Sequence, residues 1–248
     1  MEQSIGKKIF HICMIIGIIV AILVGVWILT LIYQVEGETN LPFEVSKIAV
    51  ISSVNGKDNK DEANVWNITV NQNNDMYIYI DKNKDYSKTE VIDTIIIDNI
   101  AINKEIQKGE THIYKPAEQE GELFQNIEEN IIQELTYTGD MESNIKNLKI
   151  ANQGGLVVIR FANDNLANYV SGEGEQVDYS KLLQLTNTTM EELKANVSFD
   201  LSISLKSGKT FKTTVTIDIP IEGIIENGTA SKEITDTNNI IFKRIENN

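Results

Sequence analysis

The stretch from Ile9 to Tyr33, IFHICMIIGIIVAILVGVWILTLIY, constrains the chain most, because it contains no Asp, Glu, Lys or Arg. As an α-helix it would be about 37 Å long, which exceeds the roughly 30 Å of hydrocarbon in a bilayer. We therefore predict one transmembrane helix over residues 9–33. Residues 1–8 are then a short stub, residues 34–42 a linker, and residues 43–248 the main folding unit.

The charges on either side of this stretch predict its orientation. Lys7 and Lys8 precede it, and Glu36 and Glu38 follow it. Positive charge is retained in the cytoplasm, so the N-terminus is predicted to be cytoplasmic and the C-terminal domain extracytoplasmic. A cleaved signal peptide has a shorter apolar run and a small-residue cleavage site, and neither feature is present. The sequence therefore favours an uncleaved, single-pass anchor in the cell membrane, in contact with the lipid bilayer.

Small residues recur every four positions in the predicted helix, at Cys13, Gly17, Ala21 and Gly25. On an α-helix such positions form one narrow stripe, along which a second membrane helix can approach closely. The stripe is a candidate packing surface for a homodimer or for another membrane protein. The alternative is that Gly and Ala are simply common in membrane helices.

The charge of the chain excludes one class of partner. There are 22 Lys and Arg residues against 36 Asp and Glu residues, a net charge of −14. An acidic surface repels phosphate backbones, so we expect no nucleic acid partner. The one cysteine is Cys13, within the predicted helix, so residues 43–248 can hold neither a disulfide nor a thiolate metal site.

The rest of the sequence is typical of a mainly β protein. Short runs of β-branched and aromatic residues are separated by turn signals, and long helical patterns are absent. We predict about ten strands in an antiparallel β-sandwich, either one large or two small in tandem with a sub-boundary near 117–143. A few short helices are predicted, including residues 180–185 and a helix that starts at a capping-box pattern from Thr188 to Glu191.

The turn signals predict three hairpins and several strand ends. The hairpins cover residues 65–80, 144–162 and 196–219, and the first of them turns at residues 71–75. Asn55-Gly56 is predicted to end a strand over residues 43–54. A short strand is expected at residues 111–114 after a turn at Lys108-Gly109, a polar loop at residues 163–176, and a last strand at residues 239–245. Residues 117–136 suit a helix and a strand equally well.

Candidates for catalysis are few. The one histidine after the predicted helix is His112, and a Ser-His-Asp arrangement would have to use it. We expect it to be an ordinary strand residue, and we predict no catalytic residue and no cofactor. A membrane-tethered hydrolase that uses acidic residues is the alternative, because paired carboxylates are the machinery of glycosidases. The carboxylates available for it are Glu118, Glu120, Glu122, Glu128, Glu129, Glu134 and Asp140.

One segment resembles the start of a calcium-binding loop. Asp81, Asn83 and Asp85 alternate as oxygen ligands do in an EF-hand. The glycine and the bidentate glutamate of that loop are missing, since Tyr86 and Ile92 occupy their positions. A solvated turn is therefore the default interpretation, and we predict no metal site.

Aromatic residues are concentrated in the first half of the domain, at Trp66, Tyr77, Tyr79, Tyr86 and Tyr114. If Tyr77 and Tyr79 face outward, they are suited to stacking on sugars or on a partner, and if inward they belong to the core. The sequence favours the core.

Several stretches carry a resemblance to a known group of proteins. They are LPFEVSKIAVISSVNG, VWNITVNQNNDMYIYI, IKNLKIANQGGLVVIRFANDNLANYV and the terminal NIIFKRIEN. With the apolar helix before them, the chain resembles single-pass membrane proteins of low-GC Gram-positive bacteria to which no activity is assigned. The resemblance implies a location in the cell envelope and no catalytic residues. We expect a non-enzymatic protein that binds or scaffolds at the bacterial cell envelope.

Overall fold

The computed structural model describes residues 14–27, 41–59, 65–117 and 121–245. Residues 14–27 form helix α1, whose side chains are exposed apart from the half-buried Gly25. Within the described ranges, no helix combines the length and the apolar character that a membrane crossing requires. The ends of the predicted transmembrane stretch, residues 9–13 and 28–33, lie outside these ranges.

The remaining described residues form two β-sheets, which confirms the prediction of a mainly β protein. All pairs of neighbouring strands are antiparallel except β5 and β6, which are parallel. The first sheet has the order β10-β1-β2-β7-β4 and the second the order β11-β9-β8-β3-β5-β6, so each sheet combines strands from both halves of the chain. The strands are β1 (Phe43–Asp58), β2 (Asn67–Lys82), β3 (Ile92–Lys104), β4 (Glu110–Tyr114), β5 (Leu135–Asp140), β6 (Lys149–Ala151), β7 (Gly154–Val170), β8 (Ala195–Leu205), β9 (Thr210–Asp218), β10 (Thr229–Ile234) and β11 (Lys243–Ile245).

The two sheets pack face to face around a shared hydrophobic core. Alternating residues such as Met76, Ile78 and Ile80 of β2 are fully buried against residues of the second sheet. The rings of Phe161 on β7 and Phe199 on β8 stack with their centroids 6.5 Å apart, which joins the two sheets directly. The arrangement is a β-sandwich.

A second, smaller core lies at the far end of the longest strands. Ile68 on β2 and Leu166 on β7 pack there against three short helices. These helices are α2 (Leu182–Leu185), α3 (Met190–Leu193) and α4 (Ile224–Asn227). Helix α2 confirms the predicted helix at 180–185, while α3 begins one residue later than predicted. Its capping box joins Thr189 to Glu192, whose carboxylate accepts the Thr189 N–H at 2.9 Å.

Two predicted turns are wrong. Asn55-Gly56 does not end a strand, because both residues stay in the β1–β2 ladder opposite Asn71 and Val70. A Cβ on Gly56 would lie 2.8 Å from side-chain atoms of Ile68, Leu182 and Tyr179, so the glycine serves a close approach of the α2 region. The predicted turn at 71–75 is likewise continuous strand within β2.

Two further predictions about β7 are wrong. Residues 144–162 do not form a hairpin, because β6 belongs to the second sheet and β7 to the first. Residues 163–170 are strand and not loop, and Asn165, with a φ of 53°, accommodates a bulge opposite Val70 and Gln72. In the ambiguous stretch 117–136, residues 118–120 lie outside the described ranges. The rest is irregular up to Leu135 apart from a 3₁₀ turn over Glu128–Asn130.

Other local predictions are confirmed. Strands β8 and β9 form the hairpin predicted for 196–219, with Gly208 in the left-handed region at a φ of 83°. The turn at Lys108-Gly109 connects β3 to β4, which covers the short strand predicted at 111–114. The predicted last strand is present only as the three residues of β11.

Candidate functional site

A cluster of hydrogen-bonded polar side chains lies on the outer face of the first sheet. Strands β2, β7 and β4 are neighbours there, and their outward positions carry Asp75, Arg160, Asp164, His112 and Tyr114. The segment after β4 folds back over these side chains. Its backbone is held to β4 by the bond from Ile132 N to Ile113 O and by the bridge between Tyr114 and Ile131.

Arg160 forms the base of the cluster. Its guanidinium binds Asp75 in a bidentate pair, with Nε donating to Oδ1 at 2.6 Å and Nη2 to Oδ2 at 2.9 Å. The third nitrogen, Nη1, donates to Asn126 Oδ1 at 3.1 Å. The buried ring of Phe124 lies 4.5 Å from the Arg160 Cζ, which adds a cation–π contact. These contacts fix the returning segment onto the sheet.

Asp164 joins the strand residues to that segment. Its Oδ2 accepts the Tyr114 hydroxyl at 2.8 Å and lies 3.0 Å from His112 Nδ1, while its Oδ1 accepts Asn126 Nδ2 at 3.1 Å. The register pairs Glu110 with Asp164, so His112 is the diagonal neighbour of Asp164 on the same face. The carboxylate is mostly covered, whereas the His112 side chain is 30% exposed.

These contacts have a clear electrostatic result at Tyr114. Burial raises the pKa of its hydroxyl, and the hydrogen bond to the Asp164 carboxylate raises that pKa further. Tyr114 therefore stays protonated over the physiological pH range and donates a hydrogen bond to Asp164. The pKa of the nearby Tyr77 is also raised, first by burial and then by the charge of Asp75. Both phenols are therefore neutral over this range.

A cavity of about 570 Å³ opens beside the cluster. This volume lies in the range of small-molecule sites. Its walls are rich in side-chain amides, with six Asn or Gln residues among those that line it. The lining residues are Asn55, Gly56, Lys57, Asn59, Thr69, Asn71, His112, Tyr114, Glu122, Phe124, Gln125, Asn126, Ile127, Arg160, Asp164 and Asn165. We refer to this space as the amide cavity.

The amide cavity is equipped for binding. Amides both donate and accept hydrogen bonds, as hydroxyl groups do, so its walls suit a ligand that carries many hydroxyls. Because His112 Nδ1 is held by Asp164, the Nε2 atom is the one available to a ligand. The same pairing is the one that orients a histidine for general-base chemistry.

The acidic residues predicted for a hydrolase are dispersed. Of the described ones, Glu122 lines the amide cavity, while Asp140 pairs with Lys149 at 2.5 Å. Glu128 and Glu129 begin the 3₁₀ turn, and Glu134 accepts the Thr136 hydroxyl at 3.4 Å. Glu118 and Glu120 lie outside the described residues.

The calcium candidate lies at the end of β2. Asp81 is the last residue but one of β2, and it is exposed. In the turn that follows, Asn83 Oδ1 accepts the Asp85 N–H at 2.9 Å. Within the described ranges, no group of three or more His, Cys, Asp or Glu side chains is placed to hold a metal ion.

The helix-packing candidates fall on α1 and beyond it. Gly17, Ala21 and Gly25 lie on α1, and a Cβ built on either glycine would have no neighbour within 4 Å. Cys13 lies outside the described residues. Pairing through this stripe stays a prediction.

Of the five aromatic residues, Tyr114 is buried and the other four are half-buried or exposed. Met76, Ile78 and Ile80 take the buried face of β2, so Tyr77 and Tyr79 are half-buried on the outer face, contrary to the preference stated above. Lys47 Nζ lies 4.4 Å above the Tyr79 ring. Trp66 Nε1 donates to the Glu175 carbonyl at 3.2 Å. Of the five predicted aromatic residues, Tyr114 lines the amide cavity.

The sequence analysis considered His112 and Tyr114 but predicted no site at either residue, and it did not find their partners. Asp164 and Arg160 lie about fifty residues away along the chain, in a stretch that reads partly as a loop. The one available signal is the alternation in LVVIRFANDN. Arg160 and Asp164 both lie at even positions and Ile159 and Phe161 at odd ones, so a regular strand would place the two pairs on opposite faces.

Comparison of the chain with protein-family models, with curated proteins and with solved structures finds no match.

Proposed function

We propose that this chain is a membrane-anchored, extracytoplasmic binding protein of the bacterial cell envelope, and that the amide cavity binds a hydroxyl-rich ligand of the glycan class. The observation that carries the proposal is the pre-organised polar wall of the cavity. Asn126 and Asp164 are each held by at least two hydrogen bonds from different elements, so a ligand would meet donors and acceptors that are already in position.

The apolar helix supports the membrane part of the proposal. Eleven large apolar residues of α1, from Met14 to Trp27, are each at least 46% exposed. Exposed apolar surface of this extent marks contact with a membrane or with a protein partner. Lipid is the proposed environment because the surrounding sequence, residues 9–33, has no charged residue and the flanking charges suit a membrane crossing.

The proposal is tested by glycan binding to the full chain in lipid nanodiscs. The probe is an array of oligosaccharides that includes N-acetylated and acidic cell-wall fragments, followed by calorimetry on the best ligand. We expect His112→Ala and Asn59→Ala to weaken binding about tenfold each, the loss of one hydrogen bond of about 1.4 kcal/mol. Thr216→Ala, on the outer face of the second sheet, is the control that should bind as the parent does.

The proposal would be contradicted if no glycan gave a binding signal larger than that of empty nanodiscs. Equal glycan affinity of His112→Ala, Asn59→Ala and the control Thr216→Ala would also contradict it.

A hydrolase is the second candidate, and the contact of His112 with Asp164 is the observation in its favour. In that reaction Nε2 of His112 would take a proton from a water molecule while the water oxygen bonds to the anomeric carbon of the ligand. The bond from that carbon to the glycosidic oxygen would break, and the leaving oxygen would receive the proton from His112. Release of reducing ends by the parent chain, lost in His112→Ala, would support hydrolysis. Binding without release would support the binding protein.

A further inference from the structure

A second cavity lies at the end of the sandwich and shares no lining residue with the amide cavity. It has a volume of about 470 Å³ and a mostly apolar surface formed by side chains such as Ala195, Ile219 and Ile221. The other residues that line it are Asn103, Lys104, Glu105, Lys194, Asn196 and Asp218. We refer to it as the apolar cavity.

Lys104, the last residue of β3, is the unusual group in this cavity. Its ammonium donates to two neutral acceptors, the carbonyl of Lys108 and Asn163 Oδ1, the latter at 2.9 Å. It forms no ion pair with a described carboxylate, and burial alone lowers its pKa from the ordinary value. A partly buried cation without an anion is costly, and a bound anion would offset that cost.

The other lysines around this cavity differ from Lys104. Lys194, at the rim, pairs with Glu105 at 2.8 Å, and the nearby Lys108 pairs with Glu192 at 2.9 Å. Asp218 at the rim accepts the Asn196 amide at 3.0 Å. Of the lysines around this cavity, Lys104 is therefore the one that has no carboxylate partner among the described residues and that a ligand anion could pair with.

The position of Lys104 also separates the polar and apolar parts of the site. The lysine lines a small inner cavity as well, together with Gln72, Asn74 and Asn163. The inner cavity shares Lys104, Ala195 and Ile219 with the apolar cavity. Lys104 therefore lies where the apolar cavity adjoins the inner cavity, with its ammonium bonded to Asn163 Oδ1 and with Ala195 and Ile219 lining both spaces.

We propose that the apolar cavity binds an aliphatic monocarboxylate, with the carboxylate on the Lys104 ammonium and the hydrocarbon chain against Ala195, Ile219 and Ile221. The charge of Lys104 selects the anionic end, and the apolar wall selects the chain. This site is independent of glycan binding in the amide cavity, so either proposal can fail without the other.

The test is calorimetric titration of the full chain in nanodiscs with sodium hexanoate, with empty nanodiscs as the blank. Hexanamide has nearly the same shape and no charge, so it separates ion pairing from burial of the chain. We expect hexanoate to bind at least about tenfold more tightly than hexanamide. Lys104→Met, which removes the charge and keeps most of the length of the side chain, is expected to remove that preference, whereas Lys232→Met, at an exposed position of β10, is expected to keep it.

No binding of hexanoate by the parent chain would overturn the proposal, and so would an unchanged preference in Lys104→Met. Circular dichroism reports whether that variant is folded. If it is not, Ile221→Trp narrows the cavity and leaves Lys104 in place. Loss of hexanoate binding in the folded Ile221→Trp variant would then support the site, and full retention would overturn it.

Discussion

A single hydroxyl group, that of Tyr137, completes the edge of the first sheet. Strand β4 pairs with β7 only from Arg160 onward, so the backbone of Val158 has no strand on that side. Tyr137, on β5 of the opposite sheet, accepts the Val158 N–H at 3.2 Å and donates to the Val158 carbonyl at 3.1 Å. One side chain thus takes the place of a missing strand inside the core, where both residues are fully buried.

Tyr137→Phe is therefore expected to destabilise the protein. The change leaves a buried N–H and a buried carbonyl without a partner, at a cost of about 1–3 kcal/mol in the free energy of unfolding. Chemical denaturation of the full chain in detergent micelles, followed by fluorescence, measures this cost. Tyr169→Phe is the matched control, because its hydroxyl bonds to Glu175 at the surface and should change stability by less than about 0.5 kcal/mol. Equal stability of the two variants would contradict the role assigned to Tyr137.

At the scale of elements, Asp200 on β8 connects three strands of the second sheet. Its carboxylate accepts hydrogen bonds from Thr214 on β9 at 2.6 Å and from Asn99 at the β3 bulge at 2.8 Å. Lys212 on β9 lies 3.0 Å away. Burial by itself would raise the pKa of Asp200, but these hydrogen bonds and the charge of Lys212 outweigh burial and lower that pKa.

A lowered pKa in the folded state makes this contribution to stability depend on pH. It is fully present above the pKa of an unfolded Asp, about 3.9, and is lost as the pH falls through the lower folded value. We expect Asp200→Asn to reduce the free energy of unfolding by about 1–3 kcal/mol at pH 7, and that difference to shrink below about pH 4. Denaturation at a series of pH values measures it, with Asp85→Asn in an exposed turn as the control. A difference that stays constant down to pH 2 would contradict the prediction.

The sequence predicted elements where short-range chemistry decides them. The β8–β9 hairpin has clean alternation and a Ser-Gly turn, and it folds as expected. The errors arise where a distant contact overrides the local signal. Asn55-Gly56 is a typical turn sequence, but the region of α2, more than a hundred residues later, packs on Gly56. Strand β1 therefore continues past this glycine, paired with β2. Residues 71–75 are polar, yet Asn74 is satisfied inside the sandwich by Ser52 at 2.7 Å and by the Phe161 carbonyl at 2.9 Å.

The candidate site was harder to predict than the fold for the same reason. His112 meets Asp164 only through the register of β4 against β7, in which Glu110 lies opposite Asp164. Nothing local marks Asp164 as the partner, since its neighbours Asn163 and Asn165 suggest a loop. Lys104 was harder still to identify from the sequence. Its distinguishing property is that it forms no ion pair with a described carboxylate, although its neighbour Glu105 is acidic, and a sequence with 36 acidic residues does not reveal this.

At the scale of the whole molecule, the acidic β-sandwich is stable in water, whereas the apolar helix α1 requires an apolar environment. The residues after the predicted anchor include 35 acidic and 20 basic side chains. Such a domain is repelled by an anionic lipid surface, whereas α1 exposes apolar side chains that water solvates poorly. The proposed arrangement satisfies both, because a membrane holds the helix and the short linker keeps the domain in the aqueous space outside.

Cysteine labelling tests that arrangement on the intact chain. The sequence contains one cysteine, so Cys13→Ser gives a background without thiols. Met141, just after β5, is 84% exposed, and Met141→Cys places a reactive thiol on the sandwich surface. Intact bacterial cells treated with a membrane-impermeant maleimide should label Met141→Cys fully. Ser4→Cys, before the helix, should be labelled only after the cells are permeabilised. The reverse pattern would invert the proposed orientation, and recovery of the chain in the soluble fraction would exclude the anchor.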